Sequence, residues 1–180
     1  FLNLYLIYNL LAIMRIKLLL ILSILFGVSM FAYTQSTNKH YKKGKEELDK
    51  ENYHTAIESF NKTIGSRKGK SADAFYFRGI AKVALENIDE AIEDFQMAVL
   101  LNPKHGDAYY NMGVQKNKTQ DYLGAVQSFS KAIEINGKDE EAYNGRGVAK
   151  VELKDYEGAR FDFFKAVEID PFYAEAHYNK

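Results

Sequence analysis

The 180-residue chain has no cysteine and no tryptophan, and its only prolines are Pro103 and Pro171. Without cysteine there is no disulfide framework, thiolate metal site, catalytic thiol or lipidated cysteine, and no signal of redox compartment. An excess of either charge is also missing. Twenty-four Lys and Arg face 24 Asp and Glu, so bulk charge gives no basis for binding nucleic acid. The four histidines (His40, His54, His105 and His177) show no i,i+3 or i,i+4 pairing with one another, which argues against a metal site. A Gly-rich phosphate loop, a nucleophile elbow and a supported acid–base pair are all lacking. The carboxylate-rich stretches 89–94 and 138–143 read as helix surface. The expectation is a chain without catalysis and without a cofactor. Asn-Lys-Thr occurs at 61–63 and 117–119, but both triplets fall inside or at the end of expected helices and carry little weight as glycosylation sites.

What is present begins with an apolar N-terminus. Residues 1–33 contain no acid and two bases, Arg15 and Lys17, followed by sixteen uncharged residues from Leu18 to Tyr33. A spanning helix needs about 20 apolar residues, whereas a secretory signal needs a basic start, a shorter apolar run and small residues at the cut. From Met14 the pattern is the secretory one, with Gly27 and Ser29 as a small-x-small site and Ala32 as another. Residues 1–13 lack a starting Met and read as an upstream extension, and 14–33 as a signal peptide. An uncleaved membrane anchor is the rival reading, and membrane contact would then run through this segment alone. On either reading the rest is exported, to the periplasm or beyond the cell, with 22 basic against 24 acidic residues.

The remainder repeats. Gly44, Gly79, Gly113 and Gly147 are spaced by 35, 34 and 34 residues, and so are Ala56, Ala91, Ala125 and Ala159. Four copies are expected at 37–71, 72–105, 106–139 and 140–173, with the start of a fifth at 174–180. Each copy reads as two helices; in the second they span about 72–86 and 89–101. Asn52, Asn87, Asp121 and Asp155 stand at the expected start of each second helix as N-caps, and Asn87 with Glu90 reads as a capping box. Pro103, Asn136-Gly137 and Pro171 end the second helices. A glycine inside a helix costs about 1 kcal/mol against alanine. Its recurrence at one register therefore implies close helix packing, expected where Gly meets Ala. Phe95, Phe129 and Phe163, with Tyr109 and Tyr143, would fill the space between neighbouring pairs.

The run 107–137, with its aromatic–Gly–Tyr–Ala–Phe–Ala series, resembles a tetratricopeptide repeat, and the four copies extend the resemblance over about 144 residues. The first copy departs most, with Thr63 in place of the second small Ala and Gly-Ser-Arg-Lys-Gly-Lys-Ser at 65–71. The resemblance implies an all-α fold, a right-handed superhelical solenoid of helix–turn–helix hairpins preceded by the N-terminal signal segment. One hairpin cannot bury its apolar face alone, so stacked copies create the core.

The departures from the family pattern suggest contacts. Lys82, Lys116 and Lys150 stand where a large apolar residue is common, and Arg78 and Arg146 precede their glycines. Asp94 and Asp162 lie on the second helices of the same two copies, so Arg78 or Lys82 is expected to pair with Asp94, and Arg146 or Lys150 with Asp162. The third copy has Ser128 there and should lack the pair.

By the same resemblance the first helices line an inner face that serves as a peptide groove. Its candidate partner-binding residues are Tyr41 and Lys45, then Asp73, Tyr76, Ile80 and Val83, then Asp107, Tyr110, Val114 and Asn117, then Glu141, Asn144, Val148 and Val151. Asp73, Asp107, Glu141 and Glu175 form an acidic row, and Tyr41, Tyr76, Tyr110 and Tyr178 an aromatic one. Together they suit a protein or peptide ligand bearing Lys or Arg. First-turn carboxylates are also what a helix dipole favours anyway. The clamp of Lys, Asn and Arg with which some family members hold a C-terminal carboxylate is not matched. Two functions remain open: an exported scaffold binding a partner on its inner face, or the sensor or docking region of a larger enzyme, such as a kinase or protease, continuing beyond Lys180. A structural subunit of an envelope assembly is a third.

Overall fold

A computed structural model describes residues 17–27, 39–66 and 71–173. All regular structure among them is helical. Residues 17–27 form one helix whose leucines and isoleucines are exposed. The proposed cuts after residues 29 and 32, and the fifth-copy start at 174–180 with Glu175 and Tyr178, lie outside the described residues. Eight further helices follow: α1 (39–49), α2 (Tyr53–Ile64), α3 (Ala72–Ala84), α4 (Ile88–Leu101), α5 (Gly106–Lys118), α6 (Tyr122–Ile135), α7 (Glu140–Glu152) and α8 (Tyr156–Ile169).

The helices pair as hairpins along the chain, α3 on α4, α5 on α6 and α7 on α8. Each hairpin packs on the next through α2·α3, α4·α5 and α6·α7, and α5 also meets α7. The core is therefore a line of local clusters. Ala56 and Phe60 pack with Ala81 of the following hairpin. Ala91 and Phe95 likewise pack with Met112, and Ala125, Phe129 and Ala132 with Ala142 and Ala149.

The turn between the two helices of a hairpin has one form in all four copies. Glu51, Glu86, Gln120 and Lys154 take positive φ, between 61° and 64°. In the second copy the Glu86 amide donates to Val83 O (3.0 Å) and the Asn87 amide to Lys82 O (3.0 Å). This is a left-handed Schellman stop, which closes the first helix at Ala84, two residues before the expected end. At the other end of α4, α6 and α8, Asn102, Asn136 and Asp170 fold their side-chain oxygens onto the amides of Lys104, Lys138 and Phe172 at 2.9–3.2 Å.

One local expectation is corrected. Asp121 and Asp155 cap their helices by accepting from Gly124 and Gly158 (3.0 Å each), but the Asn87 side chain makes no cap bond, and Glu90 turns to Lys82 instead (3.1 Å). Asn52 likewise makes no side-chain cap, because its amide donates to Glu47 (2.8 Å). At the recurrent glycine the nearest neighbour is a phenylalanine of the partner helix: a Cβ on Gly44, Gly79, Gly113 or Gly147 would lie 2.5–2.9 Å from the ring of Phe60, Phe95, Phe129 or Phe163. The close approach is helix backbone over an aromatic ring, and it seals each hairpin around its largest buried side chain.

Candidate functional site

The first helices carry the two predicted rows side by side. Tyr41 feels the carboxylate charge of Asp73, Tyr76 that of Asp107, and Tyr110 that of Glu141. Each tyrosine thus lies in the field of the carboxylate of the following copy. The rings are half-buried, each packed on the core phenylalanine of its own hairpin: Tyr41 on Phe60 (6.1 Å between centroids), Tyr76 on Phe95 (5.9 Å) and Tyr110 on Phe129 (5.8 Å). Tyr76 is further flanked by His105 at 4.7 Å. Burial, and then the neighbouring carboxylate, pushes the phenol pKa of all three upward, Tyr110 furthest.

Of the other candidates, Asp73, Asp107 and Glu141 are exposed along this face, as are Lys45, Val148 and Val151. Ile80, Val83, Val114 and Asn117 are half-buried. Lys45 lies over the Phe77 ring at 4.5 Å. Asn144, in the tyrosine position of the fourth copy, is only 6% exposed and belongs to the packing. Asn117 reaches across to the fourth copy, donating from Nδ2 to Gly145 O at 3.1 Å, while its buried Oδ1 has no partner. Asp139, capping α7 through Ala142, has its carboxyl raised by burial and by Glu141, Glu140 and Asp107 nearby. A cation placed along this face would relieve that crowding.

The expected ion pairs exist and are larger than predicted. Arg78 donates to Asp94 from Nε (2.9 Å) and Nη2, and Lys82 reaches the same carboxylate at 3.0 Å. Arg146 and Lys150 repeat the arrangement on Asp162 at 2.7–2.9 Å. Both cations take part, where the sequence suggested one or the other. Asp94 and Asp162 are 2% and 0% exposed, so these are buried bidentate clusters rather than solvated surface pairs. Each arginine also bridges to the preceding hairpin, Arg78 to Asn61 (2.6 Å) and Arg146 to Ser130 (3.0 Å). In the third copy Ser128 donates to Gly124 O (2.7 Å), Lys116 turns to Asp121 (3.7 Å), and no such cluster forms. An open cleft of about 570 Å³ lies there, lined by Met112, Lys116, Ser128, Lys131 and Glu134 among others. Sequence reasoning missed this cleft, although the replacement of Arg and Asp by Met112 and Ser128 was its signal.

Among the described residues no group of three or more His, Asp and Glu is placed to hold a metal ion, and no helix is long and apolar enough to cross a membrane.

A solenoid of paired helices stacked at 34–35 residues, with a small residue over an aromatic ring in each pair, defines a class, and the comparisons give its family. The family model described as Tetratricopeptide repeat matches residues 41–104, 78–140 and 116–174. The chain belongs to the tetratricopeptide repeat family.

Solved structures agree. The crystal structure of MamA is similar at 29% identity, with a TM-score of 0.72 over 77% of this chain and 81% of that one. YrrB, described as a repeat protein with an unusual peptide-binding site, is similar at 25% identity, with a TM-score of 0.72 over 79% and 73%. The first repeat domain of Spaghetti (RPAP3), solved with the HSP90 peptide SRMEEVD, shares 22% identity and a TM-score of 0.59 over 60% and 86%, which shows the fold alone. A search of curated proteins finds no match.

Proposed function

We propose that this chain is an exported scaffold that holds a partner protein or peptide along its first-helix face, contributing placement rather than catalysis. The observation that carries the reading is the exposed row Asp73, Asp107 and Glu141, one carboxylate per copy, each acting on a half-buried tyrosine of the copy before. Because the tyrosine rings are packed on the core, the row is a rigid, preformed surface, and a ligand would not bear the entropy of ordering it. The likeness to YrrB supports a peptide ligand. Export rests on the basic start at Arg15 and Lys17 and the uncharged run after it.

A peptide array probed with the purified chain is expected to return Lys- and Arg-bearing segments, with capture weakening as salt rises. The triple variant Asp73→Asn, Asp107→Asn, Glu141→Gln should lose that capture while its helical circular dichroism stays unchanged. Undiminished capture by the triple variant would remove the face from consideration. The mass of the protein from its native source tests export: it should start near residue 30 or 33.

A further inference from the structure

Asn-Gly occurs twice in the chain, at 136–137 and 144–145, and the fold treats the two pairs differently. Asn144 is 6% exposed and lies within α7. The next residue, Gly145, is helical too, and the Phe129 ring packs so close that a Cβ there would lie 2.6 Å from it. Asn136 and Gly137, by contrast, are both exposed, in the turn from α6 to α7. The Asn136 side-chain oxygen accepts from the Lys138 amide (3.2 Å), which folds the carboxamide forward over the Gly137 peptide. A 3.3 Å bond from the Asp139 amide to Asn136 O spans the turn, and among the described residues none accepts from the Gly137 amide. The same side-chain turn is built at Asn102-Pro103 and at Asp170-Pro171, where the following residue is proline.

We propose that Asn136 is a site of spontaneous covalent modification, at which the side-chain carboxamide is converted to a carboxylate through a cyclic imide. The Gly137 nitrogen gives up its proton and attacks Cγ of Asn136. The bond from Cγ to Nδ2 breaks, and Nδ2 leaves as ammonia after taking up a proton. Water, the only co-reactant, then opens the imide. Opening at Cγ leaves aspartate, and opening at the main-chain carbonyl leaves isoaspartate, with the backbone rerouted through the former side chain. Glycine suits the attacking position because it has no Cβ to crowd the ring. Ring closure needs rotation about the Cα–C bond of Asn136, away from its ψ of 93°. In the exposed turn that rotation breaks two long hydrogen bonds. At Asn144 it would break α7 and uncover the Phe129 ring, so reaction there waits on unfolding of the helix. Proline has no N–H to lose, which protects Asn102 in the equivalent turn. The product falls on the joint between the third and fourth copies. The new carboxylate stands at the C-terminal end of α6, where the helix dipole disfavours negative charge. Isoaspartate also lengthens the backbone that sets α7 against α6.

Peptide mapping by mass spectrometry tests this on the full chain, aged in mildly alkaline buffer with a non-ionic detergent that shields the apolar N-terminus. Position 136 is expected to show the mass gain of an amide exchanged for an acid, with isoaspartate identified by electron-transfer fragmentation. Asn144 should convert slower by about tenfold or more in the folded chain. In urea the two should convert at similar rates, because only the fold separates them. Gly137→Pro, which copies the Asn102-Pro103 turn, should abolish conversion at 136 with unchanged circular dichroism. An Asn136 that stays intact in the folded chain, over a time in which the urea-unfolded chain is converted, overturns the proposal. So does an Asn144 that keeps pace with Asn136 in the folded chain. Conversion that persists in Gly137→Pro overturns the imide route.

Discussion

Asp94 and Asp162 show how much one residue can organise. Each carboxylate is buried, yet it accepts from an arginine in bidentate fashion and from a lysine as well, so its desolvation is offset by three charge-assisted contacts. Removing the acid leaves two cations packed together under partial burial. Asp162→Ala is therefore expected to destabilise the chain by about 3 kcal/mol, measured by urea denaturation, whereas Ser128→Ala at the same register of the third copy should cost about 1 kcal/mol or less. Equal costs at the two sites would show that the cluster adds nothing beyond a hydrogen bond. The Arg–Asp contact was legible in the sequence, because Arg78 with Asp94 and Arg146 with Asp162 share one spacing of 16 residues. That both cations converge was not, since Lys82 and Lys150 lie one turn further along and only the crossing of the two helices brings them to the same oxygen.

At the scale of the element, the turns depart furthest from what local preference would choose. A left-handed residue closes each first helix, and in all four copies it carries a side chain: Glu51, Glu86, Gln120 and Lys154. Left-handed backbone costs a side-chain-bearing residue about 1–2 kcal/mol, while glycine adopts it freely at some cost in chain entropy. Lys154 is exposed and its backbone amide already donates to Val151 O. Lys154→Gly is accordingly expected to stabilise the chain by about 0.5–1 kcal/mol, read as an upward shift in melting temperature; a fall would mean that the lysine side chain has a role the turn geometry does not reveal. The N-cap residues before each second helix were legible as turn markers, but the positive φ one residue earlier was hidden because no glycine announces it. The partner of the recurrent glycine was hidden for a related reason: periodicity shows that a small residue is needed at one register, and only the packed helices show that a phenylalanine ring comes nearest to it.

At the scale of the whole molecule, stability is spread along a line. Each hairpin touches its neighbours, so a lesion should stay local. Gly147→Ala places a methyl 2.5 Å from the Phe163 ring and is expected to cost about 1–2 kcal/mol after the gain in helix propensity. Hydrogen exchange should then speed up in α7 and α8 while α3 and α4 keep their protection. Uniform loss of protection would mean that the array unfolds as one unit. The first-helix face is also a property of the whole stack. Tyr41 feels the charge of Asp73 and Tyr76 that of Asp107 only because successive hairpins stack in register.

The amino-acid sequence by itself determined the helical class and the repeat family, because a 34–35-residue period of small and aromatic residues is local information written several times over. It also named the residues of both rows on the first-helix face. Tertiary structure alone decided that Asn144 is buried in the packing, and that two cations share each buried carboxylate. These contacts join residues on different helices. Their distances are set by how closely the helices approach and at what angle they cross, and spacing along the chain encodes neither.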